Sequence, residues 1–329
     1  AHNRKIVVPQ DDSVVKYSMA HGQKVVIRRS RGFAPSLLPG IVPEGYKVPT
    51  LAMGASLKST FALWDGKRGY LSQFLGETEQ LLSQDSYEHT LRHLTNLLKY
   101  KPEEIIVDAH PDYFTTQLGK ALADKYGIPL HVVQHHEAHF AAVLSEHLLL
   151  ETDDPVLGVI WDGTGYGTDG AIWGGECFLY QEKTMRRYWH IPYYAHLGGD
   201  RMAREPLLAA LALFHNVDTD NVLAKHFDKK SYDVYKQLLS AGGLKTSSMG
   251  RLFDAVAGHS GVCRQNTYEG EAAMALEKLA ANYRGYRDED IEADDSDRYF
   301  QEMVKRHWHY AINKAAPEKQ ASWLHDHLA

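Results

Sequence analysis

The segment Val159-Ile160-Trp161-Asp162-Gly163-Thr164-Gly165-Tyr166-Gly167-Thr168-Asp169-Gly170 constrains this chain more than any other. The apolar run from Val156 to Trp161 reads as a strand that delivers an acid into a glycine-rich turn. Ala171 to Tyr180 then reads as a returning antiparallel strand pair. Four glycines fall within eight residues, Gly163 to Gly170. Without a Cβ, their N–H groups can approach phosphate oxygens closely. The carboxylate of Asp162 could hold a metal that neutralises such oxygens. A tight hairpin needing positive φ is the plainer alternative. No Gly-Lys-Ser/Thr follows, so this is not a Walker loop. A strand rather than a helix follows, so it is not a dinucleotide fingerprint.

The surrounding pattern is α/β. Strands are predicted at Ile6 to Val8, Lys24 to Ile27, Leu51 to Ala55, Thr60 to Trp64, Glu104 to Val107 and Leu130 to Val133. Helices are predicted over Tyr87 to Tyr100, Phe114 to Tyr126 and about His136 to Leu149. Such alternation implies a mostly parallel sheet covered on both faces. Beyond about residue 200 the chain reads as mainly helical, over Met202 to His215, Tyr232 to Leu239, Arg251 to Val256, Gly270 to Tyr283 and Tyr299 to Ile312. Pro35, Pro39, Pro43 and Pro49 mark a linker or domain edge, and the acidic run Asp288 to Asp297 reads as a solvated loop.

Five further constellations carry chemistry. In His135-His136-Glu137-Ala138-His139, His135 and His139 are four apart. On a helix starting there, both imidazoles share one face within reach of one metal ion. Phe140 stands where a metalloprotease motif would need histidine. Lys58, in Gly54-Ala55-Ser56-Leu57-Lys58-Ser59-Thr60, suits a phosphate or carbonyl oxygen, although an exposed turn lysine is commoner. In Leu197-Gly198-Gly199-Asp200-Arg201, Asp200 reads as a helix N-cap, and Arg201 and Arg204 share a face that could meet an anion. Gly250 with Asp254, and Glu269 with Gly270, place glycine and acid near helix starts, where carboxylates either accept ribose hydroxyls or act as caps.

Composition narrows the classes. A net charge of −6 argues against a nucleic-acid binder that works through a global positive field. Cys177 and Cys263 form no CxxC pair, so no zinc finger is encoded, and reduced thiols in a cytoplasmic protein are expected. Cys177 reads as a buried structural thiol in a strand. No apolar run approaches the roughly 20 residues of a membrane helix, and no signal-peptide pattern opens the chain.

Taken in order, LAMGASLKSTFAL, DAHPDYFTT, VVQHHEAHFAAV, DGTGYGTDGAIWGGE, LGGDRMAREP, GRLFDAVAG and YEGEAAMALE resemble the HypF family of hydrogenase maturation carbamoyltransferases. The strand-turn-strand resembles the phosphate hairpins of the actin, hexokinase and Hsp70 superfamily. The resemblance runs over about residues 50–280 and implies an actin-like ATPase (ASKHA) fold, similar to TsaD, with mixed sheets flanked by helices and a largely helical second half. Asp11-Asp12-Ser13-Val14-Val15 and Arg28-Arg29-Ser30-Arg31-Gly32-Phe33-Ala34-Pro35 resemble the end of a YrdC-like domain. Residues 1–45 are therefore expected to be that end plus a linker, and 46–329 the TsaD-like domain without its C-terminal part.

The resemblance also implies a reaction. Carbamoyl phosphate and ATP give carbamoyl-adenylate, whose carbamoyl group passes to the C-terminal cysteine of HypE for cyanide ligand synthesis. Neither nucleic acid nor membrane takes part. By the resemblance, His135, His139 and Asp162 hold a divalent metal, zinc or iron, with magnesium as a companion of the nucleotide. Gly163, Thr164, Gly165, Gly167, Thr168 and Asp169 lie on the phosphate. Lys58, Arg201 and Arg204 orient the acyl phosphate, and Gly250, Asp254, Glu269 and Gly270 meet the nucleoside. A small-molecule O-carbamoyltransferase resembling TobZ, and a non-catalytic fragment that binds nucleotide or HypE, are the alternatives.

Overall fold

The computed structural model describes residues 6–18, 22–34, 36–38, 45–283, 291, 293, 295–313 and 315–328. Pro35, Pro39 and Pro43, and Asp288 to Asp290, Glu292 and Asp294 of the acidic run, lie outside the described residues. The chain divides into two compact units, Ala1–Asp154 and Pro155–Ala329. No helix among the described residues is long and apolar enough to cross a membrane.

The first unit contains β1 (Val14–Ser18), β2 (Gln23–Arg28), β3 (Ser36–Leu38), β4 (Thr50–Ala52), β5 (Ala62–Trp64), β6 (Gly69–Leu71), α1 (Leu81–Leu97), β7 (Glu104–Asp108), α2 (Phe114–Tyr126), β8 (Leu130–Val133) and α3 (His135–Glu146). β1 and β2 form an antiparallel pair. The main sheet runs β3-β6-β5-β4-β7-β8. It is mixed, not mostly parallel. The short links from β4 to β6 allow only antiparallel neighbours, and parallel pairing begins where helical crossovers join β4, β7 and β8. The strand predicted at Ile6 to Val8 is absent: these residues bend and pair with no strand. Helix α1 begins at Leu81, six residues before the predicted start, because Leu81 and Leu82 are exposed and add nothing to the apolar stripe.

Burial explains the sheet's stability. Leu51, Met53, Phe61, Leu63, Tyr87, Ile105 and Val107 form its core. The fully buried Tyr87 hydroxyl donates to the Met53 carbonyl at 2.6 Å, so the ring is buried without an orphaned polar atom. Helix α2 lies close on β7 because Gly119 faces it. A Cβ there would fall 2.4 Å from Val107 Cγ1 and 3.0 Å from Met53 Cγ.

The second unit contains β9 (Val156–Tyr166), β10 (Ile172–Gln181), β11 (Thr184–His190), β12 (Tyr194–Ala195), α4 (Arg201–Arg204), α5 (Pro206–Phe214), α6 (Lys229–Ala241), β13 (Lys245–Thr246), α7 (Met249–His259), α8 (Glu271–Asn282), α9 (Ser296–Ile312) and α10 (Pro317–Leu328). β10 pairs antiparallel with both β9 and β11, and parallel with β13 at Ile172. The single helix predicted over Met202 to His215 is broken at Glu205 (φ −117°, ψ 85°). Pro206 causes the break by restricting its predecessor and opening α5 itself. Asp200 does not cap α4: its backbone is already helical and its side chain caps nothing.

Helix α5 is buried on almost every side, so it forms the axis of the unit. Around it, Phe214 meets His259, His307 and Trp308, and His259 stacks on Trp308 at 4.5 Å. Burial, helped by the neighbouring His259, holds His307 down at about 3. Burial, helped by His226 and Lys225, holds His259 at about 4.

Two outcomes are expected. Gly119→Ala overpacks the α2–β7 contact and destabilises the protein by about 1–3 kcal/mol, read as a lower urea midpoint. The buried histidines take up protons on unfolding wherever pH lies between their native values and about 6.5. Stability is therefore full above that upper value and falls steadily toward pH 4. Thermal unfolding across that window should show this slope, and His307→Leu should flatten it.

Candidate functional site

In the first unit the site is built where β8 runs into α3. The Gln134 side chain caps the helix, accepting from the N–H of His136 (2.6 Å) and of Glu137 (3.1 Å). The cap starts the helix at His135, so His135 and His139 stand one turn apart, with their Nε2 atoms 3.2 Å from each other. Two nitrogens bound tetrahedrally to zinc at about 2.05 Å would be about 3.3 Å apart. His135 Nδ1 faces Asp108 Oδ2 at 2.7 Å, and Asp108, at the end of β7, is almost buried. That bond places the proton on Nδ1 and leaves the Nε2 lone pair facing His139. Neutral imidazoles oriented by a buried carboxylate suit zinc or iron better than magnesium. His136 points the other way, fully buried, with Nδ1 3.1 Å from Gln134 Nε2. Lys58 is exposed in its turn, with φ +49°.

In the second unit the glycine-rich segment is mostly strand. β9 continues to Tyr166, and the turn is confined to residues 167–170. Gly165 pairs with Trp173 of β10, Gly163 falls in the irregularity between that pair and Trp161–Gly175, and only Gly170 among these glycines has positive φ (+79°). Gly167 is needed for lack of bulk, since a Cβ there would lie 2.5 Å from the Ala171 carbonyl oxygen, and glycines of neighbouring elements provide close approach to the segment. A Cβ on Gly250 would lie 2.8 Å from Gly163 Cα, and one on Gly174 would lie 2.6 Å from the Asp162 carbonyl oxygen. The start of α7 therefore rests on bare backbone. Ser248 Oγ donates to the Gly163 carbonyl at 2.7 Å and accepts from Arg251 N at 3.1 Å, capping α7. The N–H groups and positive dipole end of α7 thus lie beside Asp162 and Gly163.

Two of the remaining candidates, Asp254 and Arg204, meet Asn266, which spacing did not single out. Its Nδ2 donates to Asp254 Oδ1 (2.9 Å) and to the Ala203 carbonyl (2.8 Å), and its N–H donates to the Arg204 carbonyl. Its Oδ1 accepts from Ala272 N at the start of α8. Asp254 is buried and also pairs with Arg251 at 2.7 Å, while burial pushes its carboxyl up. Its carboxylate holds α7 to its neighbours. Arg201 forms a two-point pair with Glu205 at 2.8 and 2.9 Å, so it must release Glu205 to meet an anion. The Arg204 side chain is exposed. Glu269 and Gly270 are exposed at the start of α8, with Gly270 at φ +75°. Asp169 joins a cluster with Trp173, Glu176, Arg187 and Tyr193. Cys177 is half-buried rather than buried.

Residues 158–329 match the family model described as "Carbamoyltransferase, Kae1-like Domain, second subdomain", and residues 46–146 match the "HypF Kae1-like domain". The chain belongs to the HypF Kae1-like carbamoyltransferase domain family. It is 38% identical over 296 residues to Carbamoyltransferase HypF of Synechocystis sp., covering 84% of this chain and 37% of that protein. It is 37% identical to Carbamoyltransferase HypF2 of Cupriavidus necator, covering 86% of this chain and 35% of that protein. A crystal structure of full-length HypF in the phosphate- and nucleotide-bound form superposes with a TM-score of 0.84 at 30% identity, over 99% of this chain and 42% of that one. The chain thus spans little more than a third of the length of these curated HypF relatives, and its fold is their Kae1-like, actin-like ATPase fold.

The HypF assignment leaves the glycine contacts open to a direct test. Gly250→Ala should force α7 off β9 and lower stability by about 1–3 kcal/mol. Gly243→Ala, whose Cβ would meet nothing within 4 Å, should be nearly neutral. Urea unfolding of both variants reads the difference.

Proposed function

We propose that this chain is the carbamoyl-transferring part of a HypF-type enzyme, which moves the carbamoyl group of carbamoyl-adenylate to the C-terminal cysteine of HypE. The observation that carries this reading is the 38% identity, over 84% of the chain, to a carbamoyltransferase HypF. The phosphate- and nucleotide-bound HypF structure supports nucleotide as the other ligand class, with carbamoyl-adenylate formed from carbamoyl phosphate and ATP.

The proposed roles come from the resemblance, and the geometry within each unit supports some of them. His135 and His139 present their Nε2 atoms to a zinc or iron ion, with Asp108 accepting from Nδ1 of His135 and so orienting its ring. The resemblance adds Asp162 as third ligand. When bound, the ion would polarise the carbamoyl carbonyl and offset charge on the leaving phosphate. The backbone from Gly163 to Gly170, backed by the N-terminus of α7, offers N–H groups to phosphate oxygens. By the resemblance, Lys58, Arg201 and Arg204 supply positive charge for the anhydride. In the transfer, a thiolate of HypE forms an S–C bond while the C–O bond to AMP breaks. AMP leaves with the electron pair, and the thiol proton has already gone to solvent.

The test is intact-mass spectrometry of HypE after incubation with the full-length protein and carbamoyl-adenylate, together with metal analysis of the enzyme. One carbamoyl group gained, and lost when the terminal cysteine is replaced by serine, is the expected result. His135→Ala should abolish both bound metal and transfer, and Asp108→Ala should weaken metal binding by about 10–100-fold. No gain in mass with metal-loaded protein would refute the reading.

A further inference from the structure

Arg187 stands in none of the motifs above, yet it joins Asp169 of the glycine-rich turn to Glu176 and Tyr193 outside it. It projects from β11, whose register places it opposite Phe178 of β10. Its guanidinium carbon lies over the Trp173 indole, 3.8 Å from the ring centroid. Nε donates to Glu176 Oε2 at 2.6 Å. Nη1 donates to Asp169 Oδ2 at 3.2 Å and to the Tyr193 hydroxyl at 2.9 Å. One planar cation thus joins two carboxylates of different standing. Glu176 belongs to the sheet: it is fully buried and accepts from the N–H groups of Gly174 and Gly175 and from Ser247 Oγ. Asp169 belongs to the turn between β9 and β10 and is partly exposed.

The carboxylate of Asp169 is committed inward. Oδ1 accepts from Trp173 Nε1 (2.8 Å) and from Ala171 N (3.1 Å), and Oδ2 accepts from Arg187 and from the Tyr193 hydroxyl. This has two effects on residues 167–170. The turn is tied at its middle to a rigid sheet, which fixes where its backbone N–H groups point. The negative charge of Asp169 is also drawn toward a cation, away from whatever the turn receives. Lysine could not reproduce this, because bidentate reach belongs to the guanidinium.

We propose that Arg187 is a positioning residue for nucleotide binding, clamping the β9–β10 turn through Asp169 and Glu176 so that the turn is pre-formed for phosphate. This rests on the reading above that the turn receives the nucleotide's phosphates. Asp169 then acts as the turn's tether and not as a ligand.

The test compares ATP binding by calorimetry and backbone amide exchange in the full-length protein and its variants. Arg187→Gln should weaken ATP by about tenfold or more, as the amides of a cradle lose their alignment. It should also speed exchange at residues 167–171 selectively, with Arg187→Lys intermediate in both. Val304→Ala removes buried methyl groups from α9 in the core of the unit, on a helix that carries none of the proposed binding residues. It should lower the melting temperature and leave ATP affinity unchanged, which separates positioning from general destabilisation. Should Arg187→Gln fail to fold, Tyr193→Phe and Trp173→Phe each remove one bond to Asp169 and keep the Arg187–Glu176 pair. Each should weaken ATP and speed exchange at the turn. ATP affinity within twofold of wild type, with unchanged exchange at 167–171, overturns the proposal. If the wild-type protein itself binds no ATP, the reading of the turn as a phosphate cradle fails first, and the two failures are thereby told apart.

Discussion

The second unit depends on one contact between two stretches of backbone. The first turn of α7 lies directly on β9 and β10, at a distance that no side chain larger than hydrogen permits at Gly174 or Gly250. Close approach brings the unpaired N–H groups at the start of a helix to the strand that carries Asp162. It also determines what else the helix must do. Because α7 cannot shift, its far end packs equally tightly on α5, where Gly258 meets the Pro206 backbone. The apolar α5 then receives His259, His307 and Trp308 around Phe214. Glycines at both ends of one helix link the chemistry of the strand to the core.

The glycines that read from sequence as turn residues divide in use: Gly170 takes positive φ, and Gly167 is required by packing against Trp173 and Ala171. The distinction has a physical basis. A glycine needed for positive φ and a glycine needed for lack of bulk look identical in a sequence, and both occur here. Gly170 shows the first use, and Gly167, Gly174 and Gly250 show the second. The pattern legible in the sequence was that backbone is exposed to a neighbour at these points. Whether that neighbour is a phosphate or a helix depends on β10 and α7 arriving from elsewhere in the chain.

The histidine pair was legible for the opposite reason. Its geometry is local: residues four apart on a helix must face the same way, and Gln134 starts the helix at His135. The carboxylate that orients His135 was not legible as a partner, although Asp108 stands in a quoted motif. It lies 27 residues away and arrives only through the parallel register that sets Asp108 beside Val133. Asn266 was missed similarly, since a lone amide in a loop gives no signal until Asp254, Ala203 and Ala272 converge on it.

Arg187 marks the limit of such reading. Its place near Glu176 depends on the β10–β11 register, which is set by a two-residue turn at Glu182 and Lys183. Both residues have positive φ, +51° and +59°. A turn of that kind normally announces itself with Asn-Gly or Gly, and here neither is present. Non-glycine residues in this region cost energy, so the flanking strands must enforce the turn. They do so through the pairings from Gln181–Thr184 to Phe178–Arg187, after which an irregularity moves Trp189 opposite Cys177. Tyr188 is the extra residue there, and its insertion turns Trp189 away from the face that carries Glu176. The guanidinium is then free to cover that face, over Trp173. A one-residue slip in the register would carry Arg187 to the opposite side of the sheet and leave Glu176 buried without its cation. The buried carboxylate therefore selects the register as much as the turn does, and the same pairing that makes the strand order unique also ties down the glycine-rich turn.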